Sequence, residues 1–482
     1  MPTSTIDIKT YPLYLDGQWI DFDEHIEVTN PATGQVFARI AKLNRKDVAT
    51  AIDHAQKAFM SWRKVTGKQR SDYLNAIANQ LALRTEEIAQ TITKENGKPL
   101  PQSRGEVNMM IDHYHWFAGE ARRIYGRMVP HQVEGKRHLI LKSPVGVVGA
   151  ISPWNFPVVL ATRKLAPALA AGCTVLLKPA SATPLSSVLL AECIEAAGVP
   201  RGVFQLIAGS AQDIGAEFME NPLCRKVSFT GSTAVGKNLI EQSARTVTAI
   251  SMELGGNAPM LVFGDADLDR AVAGAIIAKF RNTGQSCVAA NRIYVQRNIY
   301  DQFLAKFLTD AKSLKVGSGL EPDVEIGPLI DDQAIELALE LIADAQACGA
   351  KVLYGGHRIE GPGNFLAPTV LADVPPTAKC MNCEIFAPIA PICPFDDEAE
   401  GILHANATEY GLAAYVYTND LARALRLSEE LDAGTIGLND AVPAVSTSPF
   451  GGCKESGLGR ELGTEGIEPY LETKHISIGG VD

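Results

Sequence analysis

No run of apolar residues in the sequence is long enough to cross a bilayer. The most apolar stretches, residues 145–151 and 158–177, are short or broken by Arg163, Lys164, Pro167 and Gly172, so they read as core strand and helix. Basic charge is also scarce: 44 Lys and Arg stand against 55 Asp and Glu, a formal net charge of -11. That balance argues against nonspecific nucleic-acid binding, which needs a basic face, but it leaves room for a local cationic pocket. Residues 1–10 lack the basic start and apolar core of a secretion signal, and a cytoplasmic location is expected. The nine cysteines are odd in number and show no framework spacing, which points to reduced thiols. Cys380 and Cys383 have CxxC spacing, but only Cys393 follows, and His113 and His115 lack a third ligand. No metal is expected.

What is present is the composition of a globular enzyme: 46% hydrophobic and 21% charged residues over a 482-residue chain. At about 150 residues per domain, that length predicts two or three domains. Helical periodicity dominates residues 44–125, with helices expected over 48–58 and 73–92. From residue 142 the pattern changes to short apolar runs alternating with helices. Strands are expected at 145–151, 173–177, 203–208 and 226–229, with helices at 157–171, 185–197 and 232–244. That alternation predicts a doubly wound parallel sheet. A second α/β series follows residue 253: helix 268–280, strand 292–295, helices 300–314 and 332–347, strand 351–354. Residues 470–478 form a candidate strand outside both cores, of the kind that can pair with another subunit.

There is no GxGxxG between a strand and a helix. Gly231-Ser-Thr-Ala-Val-Gly236-Lys237 does follow a strand and satisfies GxxxxGK, but Asn238 stands where Mg²⁺ ligation needs Ser or Thr. A nucleotide hydrolase is therefore disfavoured, although a glycine-rich turn opening a helix still presents free N–H groups to a phosphate. Cys287 closes the segment Phe280-Arg-Asn-Thr-Gly-Gln-Ser-Cys287, a polar, glycine-containing stretch at the end of a helical run. A lone cysteine is usually a small buried hydrophobe, but a thiolate placed there can attack a carbonyl. Two further loops end strands beside it: Ser152-Pro-Trp-Asn-Phe-Pro157 and Met252-Glu-Leu-Gly-Gly-Asn257.

Seven motifs in order, SPWNFP (152–157), LLKPAS (176–181), FTGS (229–232), ELGG (253–256), GQSC (284–287), EIFAP (384–388) and PFGG (449–452), resemble the aldehyde dehydrogenase superfamily over nearly the whole chain. Within it, Thr162-Arg-Lys164 and Lys279-Phe-Arg-Asn282 are most similar to the succinate-semialdehyde dehydrogenases. The resemblance implies two doubly wound α/β domains plus a small β oligomerisation element. It divides the chain into a dinucleotide-binding domain (1–122 and 145–253), a catalytic domain (254–454), and an oligomerisation element with the C-terminal tail (123–144 and 455–482). It implies a homo-oligomer, a dimer or tetramer. It assigns Cys287 as nucleophile, Asn155 and the Cys287 backbone N–H as oxyanion donors, and Glu253 as general base. It also implies a cofactor site of Ser152, Trp154, Asn155, Lys178, Ala180, Ser181, Gly209, Phe229, Gly231, Ser232, Leu254, Glu384 and Phe386. Ala387 stands where the family usually has glycine.

Ser181 bears on the cofactor. NAD-preferring relatives commonly carry Glu there, which accepts from a ribose 2′-OH and repels a 2′-phosphate. A serine hydroxyl beside the Lys178 ammonium suits NADP, the favoured cofactor, and also permits NAD. Arg163 and Arg281 match family positions that clamp the distal carboxylate of succinate semialdehyde, a task suited to a planar fork. The serine that these relatives carry four or five residues before the PFGG proline is absent: Val445 and Ala444 stand there, with Ser446, Thr447 and Ser448 displaced toward Pro449. The expected reaction is oxidation of a short aldehyde with an anionic tail through a Cys287 thioester. Succinate, glutarate, malonate, 2-oxoglutarate and sulfonated semialdehydes remain open, as do neutral aldehydes and, from another class, a noncatalytic structural role. A second cysteine two residues after the nucleophile, which serves some relatives as a redox switch, is replaced by Val288-Ala289.

Overall fold

Asn44 opens the first helix, Arg45–Trp62, with a capping box: its side chain accepts from Lys46 and Asp47 N–H, and Asp47 reaches back to the Asn44 N–H. In this computed structural model, which describes residues 8–480, three more helices follow: Gly67–Leu83, Thr85–Asn96 and Leu100–Glu120. The single helix expected over 73–92 is two helices, broken at Arg84, whose φ of -115° and ψ of 17° leave helical space. The apolar period runs through the break, so the sequence alone does not show it. Most of the residue 1–10 segment weighed as a leader lies outside the described residues, as do the two ends of the expected domain limits. Among the described residues no helix is long and apolar enough to cross a membrane.

The first large sheet has the strand order Phe204–Leu206, Thr174–Lys178, Val147–Ile151, Cys224–Thr230, Ala249–Glu253, Gly457–Leu458. The first five are parallel and the last is antiparallel. The second sheet runs Lys351–Tyr354, Thr369–Ala372, Ile389–Phe395, Ala290–Gln296, Ala258–Val262, Ala413–Tyr417, Thr435–Leu438, parallel except at Lys351–Tyr354. Both are doubly wound α/β layers, as expected. The chain passes from one to the other through Leu254–Asn257, between Ala249–Glu253 and Ala258–Val262. The glycines allow tight packing there, since a Cβ on Gly256 would sit 2.2 Å from the Cys287 carbonyl oxygen.

A third, antiparallel sheet joins Leu471–Gly479, Lys136–Pro144 and Arg127–Val129. The C-terminal strand thus pairs with its own chain along one edge. The helix Val159–Ala171 is buried at all thirteen positions, Arg163 and Lys164 included. It lies against the helix Leu100–Glu120 and the first sheet, so its two charged residues point into the protein rather than to water.

Candidate active site

Strands Val147–Ile151 and Cys224–Thr230 are neighbours in space but not in sequence. The strand order reverses between them, and a crevice opens at their carboxyl ends, where open α/β sheets bind ligands. A cavity of about 200 Å³ occupies this point, and its walls include Trp154, Asn155, Gly231, Ser232, Leu254, Cys287, Glu384 and Phe386. Eight of the residues expected from the sequence are thus brought to one place. Phe386 meets the Trp154 ring edge-on at 5.4 Å between centroids, and its φ of 51° turns the chain there. Phe229 does not line the cavity but packs against Gly231, where a Cβ would sit 2.4 Å from its ring.

Ser152, Lys178, Ala180, Ser181 and Gly209 do not line that cavity. Ser152 follows the crevice strand Val147–Ile151, while Lys178, Ala180 and Ser181 end or follow the next strand out and Gly209 follows the one beyond it. Ser152 is buried and its backbone N–H donates to the Lys178 carbonyl. The Lys178 ammonium is buried, donates only to the Pro179 carbonyl at 3.2 Å, and makes no ion pair among the described residues. Burial pulls its pKa down to about 8. Ser181 beside it is exposed. The helix Thr233–Ser243 begins at the cavity wall with no side-chain cap on its first N–H groups, so those donors are free for an anion. Lys237, the lysine of the GxxxxGK pattern, turns away to pair with Glu455 at 2.7 Å.

The segment leading to Cys287 is held in unusual backbone. After the helix Leu268–Phe280, Asn282, Thr283 and Gly284 all have positive φ, 50°, 59° and 75°. For a β-branched threonine that conformation is strained. It persists because the surroundings over-determine it. Gln102 Oε1 accepts from Asn282 N–H at 2.8 Å, Asn282 Nδ2 donates to the Asn155 and Gln285 carbonyls, and Thr283 Oγ1 bonds to Gly327. Asn155 Nδ2 donates to the Gln285 carbonyl at 3.2 Å, which aims the amide and leaves its second N–H free.

Three titratable groups flank the cavity. Burial, then the nearby Glu384 carboxyl, pushes the Cys287 thiol up to about 12, with Arg163 opposing. Burial, then Glu461, raises Glu253 well above the ordinary carboxylate range, while Lys164 and Arg163 pull it back. Its Oε2 is buried without a partner among the described residues, and a Cβ on Gly451 would approach its Oε1 to 2.9 Å. Burial raises Glu384 to about 7, opposed by the Gly256 N–H that donates to it at 3.0 Å. The sequence carries Lys164 in a family-like stretch without a role and does not mark Glu461: the Lys164 ammonium bridges Glu461 and Thr230 Oγ1 at 2.6 Å each.

Neither expected arginine lines this cavity: Arg163 is near enough to oppose the rise of the Cys287 thiol and the Glu253 carboxyl, and Arg281 lines a separate hollow with Gln102 and Phe280. The Arg163 guanidinium sits 4.4 Å from the Phe450 ring centroid and the Arg281 guanidinium 5.3 Å from that of Phe156. Arg163 is buried and Arg281 half-buried, yet neither makes an ion pair among the described residues. Ser446, the serine displaced in sequence, is buried and donates to the Asp112 carboxylate. That contact ties its loop to the helix Leu100–Glu120, whose Glu106 also holds the Val158 and Val159 N–H groups.

A family model described as the aldehyde dehydrogenase family matches residues 19–476. An NADP(+)-dependent succinate-semialdehyde dehydrogenase of Escherichia coli (strain K12) is 48% identical over 96% of this chain and 97% of its own length. A 3-sulfolactaldehyde dehydrogenase of Pseudomonas putida is also 48% identical, over 97% of both chains. A crystal structure of an E. coli NADP-dependent enzyme superposes with a TM-score of 0.96 at 48% identity, covering 98% of each chain. The chain belongs to the aldehyde dehydrogenase family.

Proposed function

We propose that this enzyme oxidises a short aldehyde with an anionic tail to the carboxylic acid, using NADP in preference to NAD. The observation that carries the tail is the pair of buried Arg163 and half-buried Arg281, stacked on Phe450 and Phe156 and free of any ion-pair partner among the described residues. A shielded, unpaired cation is costly, and a ligand carboxylate or sulfonate offsets that cost. Two relatives of equal identity act on a succinate and on a sulfonated aldehyde, which fits a clamp for anionic tails of differing shape.

NADP fits the chain's own residues. The unpaired Lys178 ammonium and the exposed Ser181 hydroxyl suit a 2′-phosphate, the open start of the helix Thr233–Ser243 suits the pyrophosphate, and Glu384 with Phe386 and Trp154 would hold the nicotinamide end. When bound, the nicotinamide supplies the hydride acceptor. The thiolate of Cys287 adds to the aldehyde carbon, and the carbonyl oxygen becomes an oxyanion. The free Asn155 N–H and the Cys287 backbone N–H stabilise it, each worth about 3–4 kcal/mol in such sites. Loss of hydride leaves a Cys287 thioester. Glu253, whose raised pKa suits a proton acceptor, then takes a proton from water, and hydroxide attack releases the acid.

Replacing Arg281 with alanine tests the tail. The kcat/KM for succinate semialdehyde should fall about 100-fold while that for butanal, of equal chain length, stays within about threefold. An unchanged ratio of the two would contradict the clamp and favour neutral aldehydes.

A further inference from the structure

A buried ion pair grips the loop that carries Asn155. The helix Thr85–Asn96 ends at Gly97, whose φ of 93° turns the chain, and the next residue, Lys98, runs into the interior instead of out to water. Its ammonium donates to the Glu106 carboxylate at 2.7 Å and to the Asn155 backbone carbonyl at 2.6 Å, and it lies 3.9 Å from the centroid of the Phe156 ring. Its three N–H groups thus have two oxygens and a ring face to meet. The other oxygen of Glu106 accepts from the Val158 and Val159 N–H groups, where the helix Val159–Ala171 starts. Both side chains of the pair are shut off from water. Such a pair is often no better for stability than apolar residues of the same volume. What apolar residues could not do is hold this loop on either side of Asn155.

The Asn155 carbonyl accepts a second bond, from Asn282 Nδ2 at 2.9 Å, which occupies both of its lone pairs. Asn282 Nδ2 also donates to the Gln285 carbonyl at 3.1 Å, and Asn155 Nδ2 donates to that same carbonyl at 3.2 Å. The Asn155 peptide and its side-chain amide are therefore set against the segment leading to Cys287, while Lys98 ties the same peptide to Glu106 and the helix Leu100–Glu120. Asn96 Nδ2 fixes the preceding carbonyl, that of Trp154, at 3.0 Å. We propose that Lys98 is a positioning residue for the oxyanion: by holding the Asn155 carbonyl, and being held by Glu106, it fixes where the Asn155 side-chain N–H points. An oxyanion donor acts only within a narrow distance of the developing charge, and a misplacement of about 1 Å can lose about 100-fold in rate. Lys98 itself takes no part in the bond-making steps and contributes through Asn155. The inference rests on the reading of Asn155 as an oxyanion donor.

The test uses the full-length enzyme with NADP and succinate semialdehyde. Lys98→Met alone leaves a buried carboxylate unpaired and can fail to fold. The deciding variant is therefore Lys98→Met with Glu106→Gln, which is neutral and whose amide oxygen can still accept from Val158 and Val159. It should lower the single-turnover rate of NADPH formation about 30-fold, part of the roughly 100- to 1,000-fold that loss of an oxyanion donor costs. KM for the aldehyde should stay within about twofold of native, and labelling of Cys287 by iodoacetamide, which forms no oxyanion, should keep its native rate. In an Asn155→Ala background the same two substitutions should lower the rate by no more than about twofold, because the group they act through is gone. A drop there as large as in the native background, a loss carried by KM, altered labelling of Cys287, or a native rate in the deciding variant would overturn the role of Lys98. A native rate in Asn155→Ala would instead overturn the reading of Asn155 as an oxyanion donor.

Discussion

Cys287 is the nucleophile of the proposed reaction, yet its resting thiol is poorly nucleophilic. Burial first, then the Glu384 and Glu253 carboxyls, push it up to about 12, so the thiolate fraction at neutral pH is small and grows about tenfold per pH unit. Labelling of Cys287 by iodoacetamide, followed by peptide mass spectrometry without cofactor, should therefore accelerate about tenfold per unit from pH 7 to 9 without a plateau. Glu253→Gln should leave labelling at neutral pH close to native, because burial raises the Glu253 carboxyl well above its ordinary range and so limits its negative charge, while steady-state turnover is lost for want of a base. A plateau near pH 8, or a large change in labelling at neutral pH in that variant, would show that the burial argument is wrong. At this scale the sequence is a good guide: Cys287, Asn155, Glu384 and Phe386 are brought to one cavity because each sits in a short motif at a strand or helix end. Lys164, Glu461 and His113 are less legible. Each is a polar residue within a helical or loop pattern that looks like solvent-facing surface, and only the packing of Val159–Ala171 and Leu100–Glu120 turns them inward.

At the scale of elements, the strained turn after Leu268–Phe280 is what presents the thiol. Gly284 has φ of 75°, and a Cβ there would sit 2.3 Å from the Ala387 carbonyl oxygen. Gly284→Ala should destabilise the fold by about 1–3 kcal/mol and depress kcat more than KM, measured by denaturant unfolding and steady-state kinetics; native stability and turnover would show that the turn is not constrained. The helices Leu268–Phe280 and Asp332–Ala347 are readable to the residue because apolar periodicity coincides with an aspartate cap, Asp267 and Asp331. The N-terminal strands Lys9–Tyr11, Leu13–Leu15 and Gln18–Ile20 are not, since three residues are too few to show alternation. The break at Arg84 is hidden for the opposite reason, an apolar period that continues across it.

Across the whole molecule, the site belongs to neither sheet alone. Asn155 lies in the loop after one strand of the first and Glu253 ends another, while Cys287 lies between a helix and a strand of the second, with Leu254–Asn257 crossing between them. The helix Leu100–Glu120 spans the junction, reaching Asn282 through Gln102 and the Val159–Ala171 helix start through Glu106. In the proposed reading Lys178 meets a cofactor phosphate and Arg163 with Arg281 the substrate tail, and none of the three makes an ion pair among the described residues. The direct measurement is kcat/KM of the native enzyme for succinate semialdehyde and butanal, each with NADP and NAD, followed by reduced nicotinamide absorbance. The account predicts a preference of about 100-fold for the acidic aldehyde, and a higher kcat/KM with NADP than with NAD. Equal efficiency on the two aldehydes would contradict it.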